Sequence, residues 1–475
     1  MLLHGTVPNA LLLSILIPIP KGARVDTRKS DNYRAIALSS MLGKLLDNII
    51  INVQSKVLKT SDLQFGYKSR ASSIMCTTLV IETIQYFVHM HASVFVLFID
   101  ASKAFDRLCH LDLFKILQTR RVCPLIRRLL FNLYGNQRFR VRWNGSLSDT
   151  FDMTNGVKQG AVLSPILFTI YIDGLLEELR ASGIGCHVGQ TFAGAFGYAD
   201  DIVLLSPSID AMKHCIKICE AYSTKYQIRF NPSKSKLMCF NADHIDVTLL
   251  LCGQPISVVD HEVYLGNHIN LDISDRSITR AVNYFNGMSI HIIADFNMID
   301  CFSLCRLHST YCMNLYGCEL WNYNSNYVNE MFVAWRKVTR KLFKLPPRAH
   351  NYIVCSLVEC ISVKLDRRIV KYMFSVINTN NQTMRDMIHC FMLCDSSVFA
   401  ENCRYIMYKY EIPIIMWYGE LKALMSKVTA KHVLTDEQLS NVSAVQELCS
   451  IRDDILTCNL LKCEVQSLID IICLD

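Results

Sequence analysis

The stretch GYADDIVL, residues 197–204, sets two adjacent carboxylates, Asp200 and Asp201, between apolar runs. In a strand, neighbouring side chains point to opposite faces, so one acid of the pair would face a core. A tight hairpin offers a second arrangement, with both acids at the turn. Two like charges about 4 Å apart repel by roughly 4 kcal/mol at an effective dielectric near 20, and a divalent cation would compensate them. An isolated pair of aspartates is more often a solvated turn. A second acid site changes the weighing. VFVLFID, residues 94–100, reads as a fully buried strand that ends on Asp100, and Asp106 follows in FIDASKAFD. A strand-end aspartate plus a hairpin pair is the minimum needed to hold two cations about 3.5–4 Å apart. One ion would activate a hydroxyl and the other would neutralise a leaving pyrophosphate.

Other elements must position these acids. GVKQGAVLSPILF, residues 156–168, lies between them: Gly156 and Gly160 permit close backbone approach, Gln159 offers an amide, and Pro165 sits near a helix start. RLLFNLYG (128–135) closes a helix, and QRFRVRWNGSLSDTF (137–151) alternates strictly around an Asn144-Gly145 hairpin turn. Arg138, Arg140 and Arg142 share one face of that strand, either a solvated face or one that meets phosphates; Phe139, Val141 and Trp143 share the other. An amphipathic helix over 208–225 leads to a predicted strand, YQIRF (226–230), then to NPSKSKL and a short hairpin carrying VYLGNHI (263–269). After about 275 the chain turns helix-rich, with many Cys and Met. AWRKVTRKLFKLPPR (334–348) holds Arg336, Lys337, Arg340, Lys341, Lys344 and Arg348 without an acid. Helical spacing predicts that Arg336, Arg340 and Lys344 stack on one side. A basic run is usually a solvated face; beside a nucleic-acid enzyme it is a phosphate track.

A length of 475 residues exceeds one ordinary domain, and 51% hydrophobic content with mean hydropathy +0.22 indicates filled cores rather than disorder. The net charge of +7 is a modest excess that matters where it clusters. LLLSILIPIP resembles a signal-peptide core, but MLLHG carries no Lys or Arg, two prolines interrupt the run, and no A-x-A site follows. The uncharged run 83–99 is interrupted by Gln85, His89 and His91 and is too short and polar to span a membrane. The expectation is a soluble protein in the cytoplasm, the nucleus or both, with no membrane partner. None of the 21 cysteines forms C-x-x-C. Cys301, Cys305, His308 and Cys312 share a helical face but spread over about 16 Å, too far for one tetrahedral zinc, so they read as core.

In order, NYRAIAL, FIDASKAFD, GVKQGAVLSP, GYADD, the lysine-bearing NPSKSK and YLG resemble the sequential motifs of reverse transcriptases. The wording is closest to non-LTR retrotransposons of the long interspersed element type. The likeness spans roughly residues 12–275, with a weaker echo to about 350 in YGCELW and AWRK…LPPR. Any one motif is weak; six in the right order are specific. The resemblance implies an α+β right-hand polymerase: fingers and palm over 1–275, with an antiparallel palm sheet carrying both acid sites. A helical thumb-like region over 276–350 and a helical tail over 351–475 of no assigned role complete the chain. It implies an RNA-directed DNA polymerase that takes an RNA template, a DNA primer and dNTPs, with two Mg²⁺ ions for which Mn²⁺ can substitute. Asp100, Asp200 and Asp201 resemble the metal-binding triad, and Phe105 falls where the family keeps an aromatic gate against a 2′-hydroxyl. Gln159 and Gly160 match residues lining the incoming nucleotide, and Arg34, with a weaker match at Lys21, the cations gripping its triphosphate. Lys234 or Lys236 stands where a general acid protonates pyrophosphate. Tyr264, Leu265 and Gly266 resemble the primer grip. Asp106 recurs in this branch without a metal role and would order its loop.

The chain departs from the pattern at Ala35, where the family usually has proline, and at Ala161, often cysteine. Met1 falls inside the expected fingers, leaving no room for an upstream endonuclease, and residues 351–475 contain no C-x₂-C-x₄-H-x₄-C knuckle. The expectation is an N-terminally truncated copy of such an element, or a gene model that begins late. Two rivals remain. An RNA-dependent RNA polymerase would need a polar group near the ribose, which Phe105 does not supply. A non-catalytic remnant that binds RNA fits the truncation, whereas the intact acids oppose it.

Overall fold

A computed structural model describes residues 1, 4–22, 25–102, 104–242, 248–270, 273–410, 440 and 442–446. The chain divides into two compact units: Met1–Leu265 with Asn380–Met387, and Gly266–Thr379 with the residues from Ile388 onward. In the first unit the elements used below are β1 (Leu13–Pro20), β2 (Tyr33–Leu38), α1 (Met41–Val53), α2 (Ser73–His89), β3 (Val94–Ile99), β4 (Arg138–Trp143), β5 (Ser146–Leu147) and β6 (Phe151–Asp152). They continue with α3 (Ser164–Ser182), β7 (Ala195–Tyr198), β8 (Asp201–Ser206), α4 (Ile209–Tyr226), β9 (Lys236–Phe240) and β10 (Ser257–Val258).

Two sheets result. The first runs β2-β1-β4-β5, with β6 also on β4. The apolar N-terminal run is therefore a strand. β1 pairs with β4 only over Leu13–Leu16, so Pro18 and Pro20, which have no N–H to donate, lie beyond that ladder. Asn144 (φ 46°) and Gly145 (φ 82°) close the predicted β4–β5 hairpin, both in the left-handed region that a two-residue loop of this type needs.

The second sheet runs β10-β9-β3-β8-β7 and is antiparallel except for the β9–β10 pair. Strand β3 lies at its centre, and all six of its residues are buried, as VFVLFI between two neighbours demands. Helices α2, α3 and α4 pack on this sheet. Helix α3 opens with Pro165 in its first turn, where a missing N–H costs nothing, and ends at Gly183 with φ 65°. Ser208 caps α4 by accepting from the Ala211 N–H at 3.2 Å. The predicted strand YQIRF is not one. Helix α4 runs through Tyr226, Gln227 ends it with φ 55°, and Phe230 makes one bridge to Ala101. The strand beside β3 is KLMCF instead, because the 229–231 backbone is committed to the loop after β3. Ser102 N–H donates to Arg229 O (2.7 Å), and Asn231 N–H donates to Asp100 O (2.8 Å).

Apart from the short strand Asn267–Ile269, the described elements of the second unit are helical, including Cys301–Tyr311, α5 (Asn326–Leu342), Asn351–Leu357 and Ile361–Ile377. Of the segment 351–475, residues beyond 410 lie outside the described ones, save 440 and 442–446. Helix α5 buries Val328, Met331, Trp335, Val338 and Leu342. It ends earlier than the basic run suggested. Pro346 and Pro347 cannot continue it, and Lys344 has left the helix with φ 51°, so it does not stack above Arg336 and Arg340. Arg340 folds back, donating to Ala349 O at 2.7 Å and Asn351 Oδ1 at 2.8 Å. Cys301, Cys305, His308 and Cys312 are buried, with His308 Nε2 2.7 Å from Ser289 Oγ, as a core stripe should be. No helix of the described residues is long and apolar enough to cross a membrane.

Candidate active site

The β7–β8 hairpin turns on two residues, Ala199 and Asp200, with Tyr198 paired to Asp201 and Ala199 at φ 58°. On its other side β8 pairs with β3, Ile202 opposite Ile99. That pair ends the ladder, and the next residue along each strand is an acid, Asp201 and Asp100, near enough for Asp100 to raise Asp201. Facing positions in such a ladder lie about 4.5–5.5 Å apart at Cα, and like charges so placed repel. The repulsion adds to burial in raising both carboxyls of the pair. The protein packed around Asp201, then Asp200, then Asp100, push its carboxyl from the ordinary 3.8 up to about 6, although the residue is exposed. Asp200 is also raised, by burial first and Asp100 next, with Arg34 opposing. A gap of 100 residues is thus closed by strand pairing.

Lys234 Nζ lies 3.6 Å from Asp100 Oδ2, an oxygen that is buried and accepts no hydrogen bond. Lys236 opens β9 opposite Phe98 and donates to Ser233 O at 3.3 Å instead. Among the described residues no three His, Cys, Asp or Glu side chains stand close enough to hold a metal ion as they are. The donor set nevertheless suits a hard divalent cation: three carboxylates at adjoining strand ends, one with an orphaned oxygen.

The glycine loop is pinned to the loop after β3. Gly156 N–H donates to Leu108 O (2.7 Å) and Val157 N–H to Phe105 O (2.8 Å). Gln159 Nε2 donates to Asp106 Oδ1 (3.0 Å), so Asp106 orders its loop as expected. Gln159 O accepts the Ala37 N–H at 2.7 Å, tying the loop to β2. Gly156 (φ 88°) and Gly160 (φ 104°) have left-handed backbones, and a Cβ on Gly160 would stand 3.0 Å from Ala37 O. Phe105 is half-buried and stacks on Phe168, centroids 4.7 Å apart. Arg34 is exposed on β2, near enough to Asp200 to lower it. Lys21, beyond the end of β1, donates from Nζ to Asp31 O at 2.7 Å.

The remaining predicted residues divide. Arg138 and Arg142 are exposed on β4, while Arg140 Nε donates to Ser148 O (2.8 Å). Tyr264 is 4% exposed, with its ring 5.4 Å from Phe98 and its hydroxyl 3.4 Å from Cys76 Sγ. Its side chain is core, and the two residues after it, Leu265 (φ 48°) and Gly266 (φ 79°), have left-handed backbones. Arg336 is half-buried on α5, Arg340 is engaged at Ala349, and Lys344 lies past the helix.

Two residues at the site escaped the sequence reading. Gln64, fully buried, accepts the Ala199 N–H (2.8 Å) and Gly66 N–H (2.9 Å). Asp47, buried on α1, accepts the Val162 and Leu163 N–H groups at 3.2 Å each, ahead of α3. The signals were a polar residue inside each apolar run, LQFG and LLDNII.

Residues 19–277 match the family model described as reverse transcriptase (RNA-dependent DNA polymerase). The chain belongs to the reverse transcriptase family. As the motif wording implied, its relatives are retrotransposon proteins. The Pol polyprotein of the type-2 retrotransposable element R2DM of Drosophila melanogaster is 29% identical over 202 residues, 42% of this chain and 19% of that protein. The RNA-directed DNA polymerase of the mobile element jockey of Drosophila funebris is 25% identical over 286 residues, 57% of this chain and 29% of that protein. The chain thus spans less than a third of the length of these curated relatives. Among solved structures, telomerase from Candida albicans with a TWJ fragment of telomeric RNA is similar at 13% identity and TM-score 0.41, over 90% of this chain and 68% of that one. The fold is the α+β right-hand polymerase, its antiparallel palm sheet built from β3, β7, β8 and β9. Reverse transcriptases use divalent metal ions and bind template and primer.

Proposed function

We propose that the chain is an RNA-directed DNA polymerase of a non-LTR retrotransposon, adding dNTPs to the 3′-hydroxyl of a DNA primer on an RNA template inside the cell. The observation that carries this reading is the ladder that ends on Ile202 opposite Ile99, the chain neighbours of Asp201 and Asp100, with Asp100 Oδ2 buried without a hydrogen bond. Asp100, Asp200 and Asp201 would hold Mg²⁺, or Mn²⁺ in its place. When bound, a pair of such ions lowers the pKa of the primer hydroxyl and neutralises the leaving pyrophosphate.

In this reading the primer 3′-oxygen attacks the α-phosphorus of the dNTP as the bond to the β-phosphate breaks. Lys234 is the better-placed general acid than Lys236, since its ammonium already sits at Asp100, and it would give its proton to the departing pyrophosphate. Arg34, with Lys21 further out, would bind the triphosphate. Gln159 and Gly160 would line the nucleotide, and Phe105 would exclude a 2′-hydroxyl. Arg138, Arg142 and the cations at the end of α5 would meet nucleic-acid phosphates without reading sequence.

Primer extension tests the reading. With an oligo(dT) primer on poly(rA), the chain should incorporate dTTP in Mg²⁺ and fail in EDTA. Binding of the same duplex with no incorporation in either Mg²⁺ or Mn²⁺ would return the chain to the alternative of an RNA-binding remnant.

A further inference from the structure

Gln64 has a contact set that packing alone does not explain. Its side chain is 0% exposed. Oε1 accepts two N–H groups, Ala199 at 2.8 Å and Gly66 at 2.9 Å, and Nε2 donates to Ala199 O at 3.4 Å. Both backbone groups of one turn residue are therefore held by one side-chain amide. The residues around Gln64 reinforce the grip. Phe65 N–H donates to Gly197 O (2.8 Å) and Gly197 N–H donates to Leu63 O (2.9 Å), so the segment makes one parallel bridge, Gln64 opposite Gly197, on the outer edge of the hairpin. Gly66 lies so close that a Cβ there would come within 2.4 Å of Ala199 N. The base of the segment is fixed in turn: Ser61 N–H donates to Asp173 Oδ1 (2.8 Å), and Lys68 Nζ donates to Ser61 O (2.7 Å).

The gripped residue is the one that needs gripping. Ala199 has φ 58°, a region that an L-residue with a Cβ enters reluctantly and glycine enters freely. It immediately precedes Asp200 and Asp201. If its backbone relaxed to negative φ, the direction of both carboxylates would change, because a two-residue turn has no slack to absorb the rotation.

We propose that Gln64 is a positioning residue for nucleotidyl transfer: its amide holds Ala199 left-handed and so fixes where Asp200 and Asp201 present their carboxylates. This inference rests on the reading of those aspartates as the metal-binding pair. It concerns geometry, so glycine at 199 should substitute for the clamp.

The test uses the full chain and four proteins: the parent, Gln64→Met, Ala199→Gly and the double variant. Methionine keeps the volume and removes every hydrogen bond. Three readouts are taken: kcat and KM for dTTP on poly(rA)/oligo(dT); Mn²⁺ binding, counted from the free-ion paramagnetic resonance signal without dNTP; and hydrogen exchange at the Ala199 amide. Gln64→Met should lower kcat by about tenfold to a hundredfold, as misplaced reacting groups do, with little change in KM or duplex affinity. It should weaken Mn²⁺ binding and unprotect the Ala199 amide. In the double variant most of the lost kcat and Mn²⁺ affinity should return.

A kcat and Mn²⁺ titration within about twofold of the parent would overturn the proposal. So would losses that glycine at 199 does not restore, which would make Gln64 ordinary core. If Gln64→Met does not fold, exchange in the parent decides: an Ala199 amide as protected as those inside β8 supports the clamp, and a fast one refutes it. A parent that extends no primer contradicts the polymerase reading alone, and the exchange and Mn²⁺ readouts still judge the clamp.

Discussion

Gly156→Ala is the substitution whose cost can be worked most fully from the structure. The residue sits at φ 88°, and a Cβ there would stand 2.7 Å from Asp106 O and 2.9 Å from Asp106 C and Cα. All three are backbone atoms, so no side chain can swing aside. The left-handed conformation costs an L-residue about 1–2 kcal/mol. Relieving the clash must separate the loop from residues 105–108, and the Gly156–Leu108 and Val157–Phe105 hydrogen bonds hold it there. Each is worth about 1 kcal/mol net, which brings the expected loss to about 3–4 kcal/mol. In a unit of this size that lowers Tm by roughly 6–16 °C, at 2–4 °C per kcal/mol. Displacing Phe105 and Gln159 together should also raise KM for dNTPs more than it lowers template affinity. Thermal unfolding followed by far-UV circular dichroism, paired with steady-state kinetics, measures both. A Tm within about 1 °C of the parent, with KM unchanged, would mean that the loop is not held against residues 105–108 as described.

Asp201→Asn should trade activity for stability. A carboxyl raised from 3.8 to about 6 destabilises the folded chain once the unfolded one ionises. The penalty is absent below about pH 4, grows between about 4 and 6, and is constant above. The shift corresponds to about 3 kcal/mol, which solvent at the exposed carboxylate screens to about 1 kcal/mol. In EDTA the asparagine variant should therefore be the more resistant to urea near neutral pH and no more resistant below about pH 4; equal resistance at both would remove the repulsion. Phe105→Ala should admit rNTPs while dNTP use falls less, because the apolar ring no longer buries a 2′-hydroxyl unpaired, a cost of about 1–3 kcal/mol. Parallel loss of both substrates would make Phe105 a packing residue of Phe168. Lys337, Lys341 and Lys344, all exposed, changed together to Ser should flatten the salt dependence of duplex binding by about 0.9 in log–log slope per lost phosphate contact, whatever the sequence. An unchanged slope would leave them a solvated face.

The sheet that carries the acids was legible because its strands announce themselves. VFVLFI can only be a central buried strand, and a DD pair flanked by GYA and IVLL leaves a hairpin as the compact solution. Strand pairing then had to bring Asp100 to Asp201, although no local pattern states the register. YQIRF has the composition of a strand, but its backbone was taken by the loop beyond β3, a tertiary claim that propensity cannot register. The reach of the basic helix was misjudged for a local reason that was in view, since the tandem prolines after Leu345 end it. Lys234 and Lys236 could not be separated by spacing, because the turn at 231–235 decides which ammonium meets Asp100. Gln64 was invisible for a deeper reason: its partner, the Ala199 backbone, lies 135 residues away and carries no side-chain signature of its strain.

In the proposed function Asp100, Asp200 and Asp201 together support nucleotidyl transfer. Single-nucleotide extension of a DNA primer on an RNA template, measured in Mg²⁺ for the parent and for Asp100→Asn, Asp200→Asn and Asp201→Asn, tests it most directly. The parent should extend the primer, with Asp100→Asn and Asp201→Asn at background and Asp200→Asn severely reduced, while all three still bind the template–primer duplex. Turnover per bound complex that survives Asp100→Asn or Asp201→Asn would contradict it.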